Sequence, residues 1–377
     1  MLSSTEVHLS QTQTPPPHTK TGSSQPDNPA ILRLPREIII HILSSLPSIK
    51  HLPSVLLSHR AFNTAFRQHK QCVFLGILLQ QIPRRLLPLA VATHKVKSLI
   101  HQPWDSDHDD ANWAAVGPLL EQAFVQVPPT SPFTSISPLT PLDVLSLEKT
   151  QSIIHHFTTD FASTSLPLYK ASFSSTPISR RPDTPTADEL DRIYRAFYRF
   201  ELYTRTLGLR SLYISTTSES DASTQSRTDD TATDADAILE LGRISDSFFN
   251  PWSAWANEQL LCVYKYLDGK VAAPFSEIPQ HDLEWAYRRV NWVEPGPRGE
   301  NRRYFLHFGL SFLCKLLHAP DYASRKRIID TTNFPYVGGR VDEIRLPDLI
   351  AASSSHLPPD IPLTPDLFGP YHYARPP

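Results

Sequence analysis

The fold is decided by the stretch LPREIIIHILSSLP, residues 34–47. On a helix from Arg36 to Leu46, with about 100° between residues, most apolar side chains share an arc of about 140°. Pro35 suits the first helical turn, where its missing N–H breaks no hydrogen bond, and Pro47 ends the helix. Ile40 falls about 60° outside the arc, on the polar side. The stretch therefore predicts a helix with one buried face and one extra exposed isoleucine; the arc holds Ile38, Ile39, Ile42, Leu43 and Leu46.

Two more short helices are predicted at Leu52–Ser58 and Arg60–Gln68. On the second, Phe62 and Phe66 are four residues apart and so meet on one face. Three short helices over ~35 residues are too few to hold a stable core alone. The remainder of the chain or a partner must therefore cover the apolar surface that they leave.

The spaced series from Leu34 to Phe62 resembles the F-box. It reads Leu34-Pro35-Arg36-Glu37-Ile38, Ile42-Leu43, Leu46-Pro47, Leu52, Val55-Leu56-Leu57-Ser58 and Arg60-Ala61-Phe62. The resemblance implies a module that binds a Skp-type adaptor, which joins it to a cullin-RING ubiquitin ligase. By the same resemblance, the positions expected to contact the adaptor are Leu34, Pro35, Ile38, Ile42, Leu52 and Leu56.

The alternative is that these six residues simply pack onto an apolar helix predicted at Cys72–Ile82. If the resemblance holds, the chain is a substrate receptor that recruits an unidentified target protein and catalyses no reaction itself. A second hypothesis is an adaptor-binding or scaffold protein that acts outside a ligase. A third is an enzyme whose site lies near His101–Asp110.

Composition predicts an all-α protein. The chain has 377 residues with 36 prolines and only 12 glycines, which suits helices joined by stiff linkers better than β-hairpins. The expected organisation is a disordered leader at 1–30, the F-box at 31–70, an irregular α-helical domain at 71–350 and a Pro-rich tail at 351–377. A Ser/Thr/Asp-rich stretch at about 215–236 is expected to be a disordered insertion within that domain. We favour a passive loop there, with phosphorylation of its hydroxyls as the alternative.

Charge and cysteine usage indicate an intracellular chain. The formal charge is −2 and three cysteines lie far apart, so we expect neither a nucleic-acid nor a membrane partner. The polar first thirty residues are not expected to be a signal peptide. The predicted location is therefore the cytoplasm or the nucleus.

The clearest C-terminal helix is predicted at Ala187–Leu207, opened by a capping box from Thr186 to Glu189. Its charges divide into two groups. Arg192, Arg195 and Arg199 are placed on the solvated side. Glu201 and Arg205 fall inside the apolar arc, four residues apart, and are predicted to form a partly buried ion pair.

Further helices are predicted at Asp143–Phe161, Trp252–Leu267, His281–Val290 and Tyr304–His318, with linker sequence at Ser163–Pro185. The segments Arg195–Leu202, Phe249–Leu260 and Gly309–Leu313 resemble a family of filamentous-fungal F-box-like proteins, which implies an architecture more than a substrate. Four aromatic residues are interpreted as core, with a pocket for a target peptide as the alternative; they are Trp252, Trp255, Tyr264 and Tyr266.

No motif for catalysis, metal or phosphate binding occurs in the sequence. His101–Asp110 is the densest group of potential metal ligands. It fails as an EF-hand loop because Asp110 occupies the glycine position and Val116 the glutamate position. We interpret it as a solvated acidic loop, and expect no cofactor and no metal.

Overall fold

The computed structural model describes residues 34–99, 109–124, 138–172, 184–208, 242–281 and 305–332, together with Leu346 and Ile350. Of these residues 87% are helical and none is in a strand, so the predicted all-α class is confirmed. The predicted leader, insertion and tail lie outside the described residues.

Eleven α-helices are found in the described part of the chain. Short 3₁₀ turns at Ile49–His51, Arg84–Leu86 and Phe305–Phe308, and a π-helical turn at Thr204–Gly208, connect or extend them. The helices are α1 Arg36–Ser44, α2 Leu52–Ser58, α3 Arg60–Leu79, α4 Leu87–Leu99, α5 Asp109–Phe124, α6 Pro141–Ser172, α7 Ala187–Tyr203, α8 242–249, α9 Ala254–His281, α10 Gly309–His318 and α11 Tyr322–Thr331.

Helix α3 joins two stretches that the sequence predicted as separate helices. The join is marked by His69, whose φ of −128° and ψ of 32° are not helical. Phe66 before it packs edge-on against Phe74 after it, with ring centroids 5.6 Å apart. Gly76 lets α1 approach closely, because a Cβ there would stand 2.3 Å from the Cβ of Ser44. The first three helices thus pack as one unit along α3.

One hydrophobic cluster runs through the described helices, from Ile39 in α1 to Ile329 in α11. Helix α7 lies inside it and contacts α4, α6 and α9. Among the described residues, no single helix is long and apolar enough to cross a membrane. Only α3 together with Arg84–Leu99, bent by 111°, meets the criteria of length and composition as a pair.

Several helix bounds differ from the prediction. Helix α6 continues to Ser172, into the predicted linker. Its hydroxyl groups do not break it, because Ser163 and Thr164 both donate to the carbonyl of Asp160 within the helix, at 2.9 and 2.8 Å. Helix α9 runs to His281, where a separate helix was predicted to begin.

Helix α11 was not predicted at all. Asp321 caps it by accepting the Ser324 N–H at 2.7 Å. Arg325 holds it to α9 through an ion pair with Glu277 at 2.8 Å. The apolar pattern of this short, charged helix is weak, so contacts from outside the helix specify it.

The start of α7 follows the prediction. Thr186 Oγ1 accepts the Glu189 N–H at 3.2 Å, and Glu189 Oε2 accepts the Thr186 N–H at 2.8 Å, so the capping box is confirmed. The ion pair is confirmed as well, with 3.4 Å between Arg205 Nη2 and Glu201 Oε1. The helix ends earlier than predicted, at Tyr203, and continues as the π-helical turn.

The solvated position predicted for Arg199 is wrong, since this residue is only 1% exposed. Helix α9 packs over that side of α7, and the guanidinium donates to Ala256 O at 2.7 Å and to Asn257 Oδ1 at 2.6 Å. Arg192 is exposed as predicted, and Arg195 is partly buried.

The aromatic residues interpreted as core also divide. Tyr264 is buried, and Trp252 and Tyr266 are partly buried. Trp255 is 76% exposed, so its assignment to the core is wrong. Trp255 is the second residue of α9.

Candidate partner-binding surface

Helix α1 divides its apolar residues between two faces. Ile39 and Leu43 are buried in the core against α3, and Ile40 packs partly against it. Ile38 and Ile42 remain 45% and 36% exposed. The predicted exposure of Ile40 is therefore wrong, because α3 reaches around that side and leaves the other edge of the apolar arc uncovered.

Leu34, just before the helix begins, is 38% exposed. Ile38 and Ile42 are four residues apart on α1, which places them along one side of the helix. We call these three residues the N-terminal stripe. Pro35 is exposed beside it, so four of the six candidate residues lie on one accessible surface.

The other two candidate residues lie on α2 and are less accessible. Leu52 is only 4% exposed and belongs to the core, while Leu56 is partly buried against it. Leu57, which the sequence reasoning passed over, is 86% exposed. A helical projection would have found it, because Leu57 points about 140° away from Leu52 on α2.

Exposed large apolar side chains are concentrated in this module. Among the described residues there are seven, and four of them lie between Leu34 and Leu57. Single exposed leucines are ordinary, but a group of them marks an interaction surface. The seven are Leu34, Ile38, Ile42, Leu57, Leu142, Leu145 and Trp255.

Buried polar contacts fix the module to α6. Glu148 on α6 accepts the Ile49 N–H at 2.7 Å through Oε1 and the Ser48 hydroxyl at 2.8 Å through Oε2. Gln81, after α3, donates to Pro47 O at 2.8 Å. These bonds hold the turn between α1 and α2, so the N-terminal stripe is presented on a positioned support.

Charged and polar side chains border the stripe. Arg36, Glu37 and His41 are all exposed on α1. An apolar strip within a polar rim is the usual anatomy of a protein–protein interface. The arrangement can bind an apolar partner surface.

The acidic segment considered as a metal site falls mostly outside the described residues, which exclude 101–108. Asp109 and Asp110, predicted in the loop, instead open α5. Within the described ranges no group of three His, Cys, Asp or Glu side chains is placed to hold a metal ion.

Comparisons with protein-family models, with curated proteins and with solved structures find no match for this chain.

Proposed function

We propose that this chain is an F-box substrate receptor, which binds a Skp-type adaptor through α1–α3 and brings a target protein to a cullin-RING ubiquitin ligase. One observation carries the proposal: the N-terminal stripe stays exposed while the adjoining edge of the same apolar arc of α1, with Ile39 and Leu43, is buried in the core. The chain itself would catalyse no reaction, since its role is to hold two other proteins.

The stripe has the energetics of a docking surface. Moving apolar surface from water into an interface stabilises a complex by about 25 cal/mol per Å², and a few central side chains usually carry most of that. Because Glu148 fixes the support of the stripe, little conformational entropy is lost on binding.

The identity of the partner rests on the resemblance to the F-box. Of the positions that the resemblance assigns to the adaptor, Leu34, Pro35, Ile38 and Ile42 are exposed, which supports the assignment. Leu52 is buried, and its role in the proposal is to hold α2 against the core. Leu57 on α2 is added to the proposed contact, because at 86% it is the most exposed large apolar residue of those that the structure describes.

The test is a pull-down of the tagged full chain with a Skp-type adaptor. The variant replaces Leu34, Ile38 and Ile42 by alanine, which keeps the helix and removes the exposed apolar surface. We expect recovery of the adaptor to fall at least about tenfold, the effect of losing a central apolar contact. The matched control replaces Leu142 and Leu145 by alanine, which removes exposed leucines from α6, and should recover the adaptor as the wild type does.

Equal recovery of the adaptor by the stripe variant, with an unchanged circular dichroism spectrum, would show the proposal to be wrong. The same pull-down is probed for cullin. Cullin together with adaptor is the result expected for a ligase subunit. Adaptor without cullin would favour the alternative, an adaptor-binding or scaffold protein outside a ligase.

A further inference from the structure

Two arginines of α7 lie against one indole ring. The guanidinium carbon of Arg199 is 4.6 Å from the ring centroid of Trp252, and that of Arg195 is 5.4 Å from it. Arg199 also lies 5.4 Å from the ring centroid of Phe248. These cation–π contacts are favourable, but an aromatic ring carries no net charge and neutralises neither arginine.

Arg199 is buried without a negative partner among the residues that the structure describes. In the described part of the chain its hydrogen bonds go to two neutral acceptors, Ala256 O and Asn257 Oδ1. A buried charge is ordinarily paired with an opposite one, because the surrounding protein solvates it poorly. Arg199 therefore brings an uncompensated positive charge to the junction of α7 and α9.

Arg195 is no better neutralised. It makes one long hydrogen bond, 3.4 Å to Gln259 Oε1, and no ion pair with a described residue. The carboxylate one turn before it, Asp191, is already engaged in an ion pair with Arg85. Arg195 is only partly buried, so its guanidinium can be reached from solvent.

The N-terminal end of α9 adds to the positive charge at this junction. This helix begins at Ala254 and has no acidic residue in its first turn, although the N-terminus of a helix carries a partial positive charge that favours anions.

Burial first, and then the charge of Arg195, lowers the pKa of Arg199 to about 9. Burial likewise lowers the pKa of Arg195, helped by the charges of Arg192 and Arg85.

Two buried donors at this junction have no acceptor in the described ranges of the chain. Arg199 Nε and Trp252 Nε1 make no hydrogen bond there, and both atoms can only donate. Buried donors without acceptors are rare in folded proteins and call for an explanation. These two atoms together with the guanidinium charges are the complement of an anion with several acceptor lone pairs.

The exposed Trp255 lies on α9 next in sequence to Ala256 and Asn257, which accept hydrogen bonds from Arg199. It precedes Gln259, the acceptor of Arg195, by four residues, so these two side chains lie along one row of the helix, while Trp252 lies in the turn just before it. Tryptophan and arginine are the residues most concentrated at the energetic centres of interfaces.

We propose that this junction of α7 and α9 binds an acidic segment of a partner protein. A glutamate or aspartate carboxylate accepts hydrogen bonds from Arg195, Arg199 contributes its uncompensated charge behind it, and an apolar neighbour in the segment packs on Trp255. That the partner is the target recruited for ubiquitination rests on the proposed function, whereas the binding itself does not.

The test is fluorescence anisotropy of the full chain with a labelled peptide of alternating glutamate and leucine. We expect a matched peptide with glutamine in place of glutamate to bind at least about tenfold more weakly. Arg195→Gln should weaken binding of the acidic peptide by about tenfold or more and Trp255→Ala by about fivefold, while Arg195→Lys retains part of the affinity. The matched control is Arg327→Gln, an exposed arginine on α11, which should bind as the wild type does.

Equal affinity for the two peptides, or wild-type affinity in a folded Arg195→Gln variant, would overturn the proposal. It is also overturned if single-stranded DNA of the same charge binds as tightly, or if only a phosphoserine version of the peptide binds. The peptide assay contains no adaptor, and Arg195→Gln should leave adaptor recovery unchanged. Failure of the peptide assay with normal adaptor recovery therefore rejects this inference alone, and the reverse result rejects the proposed function alone.

Discussion

Helices α1 and α7 depart from the amphipathic rule in opposite directions. Helix α1 leaves Ile38 and Ile42 in solvent, whereas α7 buries Arg199 and Glu201. Helix α1 packs mainly on α3, while α7 is enclosed by α4, α6 and α9. The apolar pattern of a helix indicates the face that packs against the core. The number of helices that surround it decides whether its other faces are buried as well.

The buried charges of α7 are themselves of two kinds. Glu201 is satisfied, because it accepts the Leu310 N–H at 2.6 Å and pairs with Arg205. Gly309 makes room for this carboxylate: its φ is 78°, and a Cβ on it would lie 2.8 Å from Glu201 Oε2. Arg199 has no such counter-charge within the described part of the chain. A buried charge can therefore be compensated within the fold, as Glu201 is, or be left among neutral contacts, as Arg199 is in the described part of the chain. The immediate contacts of the charge distinguish the two cases.

The largest expected effect tests the division of α1 into two faces. Leu43 is fully buried and its neighbour Ile42 is exposed. We expect Leu43→Ala to lower the free energy of unfolding by about 3 kcal/mol, through lost burial and a cavity. Ile42→Ala should change it by no more than about 0.5 kcal/mol. Urea denaturation measures both, and similar losses for the two variants would show that α1 is covered on both sides.

A smaller effect is expected from the satisfied charge in α7. Arg205→Ala leaves Glu201 buried, with the Leu310 N–H as its remaining donor among the described residues. We expect a loss of about 2 kcal/mol, less than for a fully buried pair because Arg205 is partly exposed. Arg192→Ala, an exposed arginine on the same helix, is the control and should change stability by no more than about 0.5 kcal/mol. If Arg205→Ala lowered the melting temperature no more than the control does, the Glu201–Arg205 pair would contribute no more to stability than an ion pair on the surface.

The sequence predicts what a single helix specifies and misses what neighbouring helices add. The Thr186 capping box and the Glu201–Arg205 pair depend on residues within one helix or its first turn, and both were found. The burial of Arg199 depends on where α9 packs, and the exposure of Ile38 depends on how far α3 reaches, so neither follows from the pattern of its own helix. The helical pattern accordingly placed the extra exposed isoleucine at Ile40, whereas the exposed ones are Ile38 and Ile42, which only the resemblance to the F-box had singled out.

The smallest effect concerns pH and the helices around α7. His156 on α6 lies beside His318 on α10, with ring centroids 4.6 Å apart. Burial lowers the pKa of His156 below its ordinary 6.5, and the charges of His318 and Lys270 lower it further, while Asp160 opposes the shift.

The sign of the pH effect follows from that shift. The unfolded chain takes up a proton at His156 more readily than the folded chain. The contribution of the neutral ring to the free energy of unfolding is therefore complete above about pH 6.5, and it is lost as the pH falls through the pKa that His156 has in the folded chain. We expect His156→Asn to lose less stability than the wild type between about pH 7 and about pH 5. His318→Asn should remove part of the same difference, and the double variant should show less than the sum of the two, since the rings act on each other. If the stability of His156→Asn changed with pH as that of the wild type does, the His156 ring would be well solvated in the folded chain. The helices around α7 would then not differ from α1 in the pH dependence of their packing.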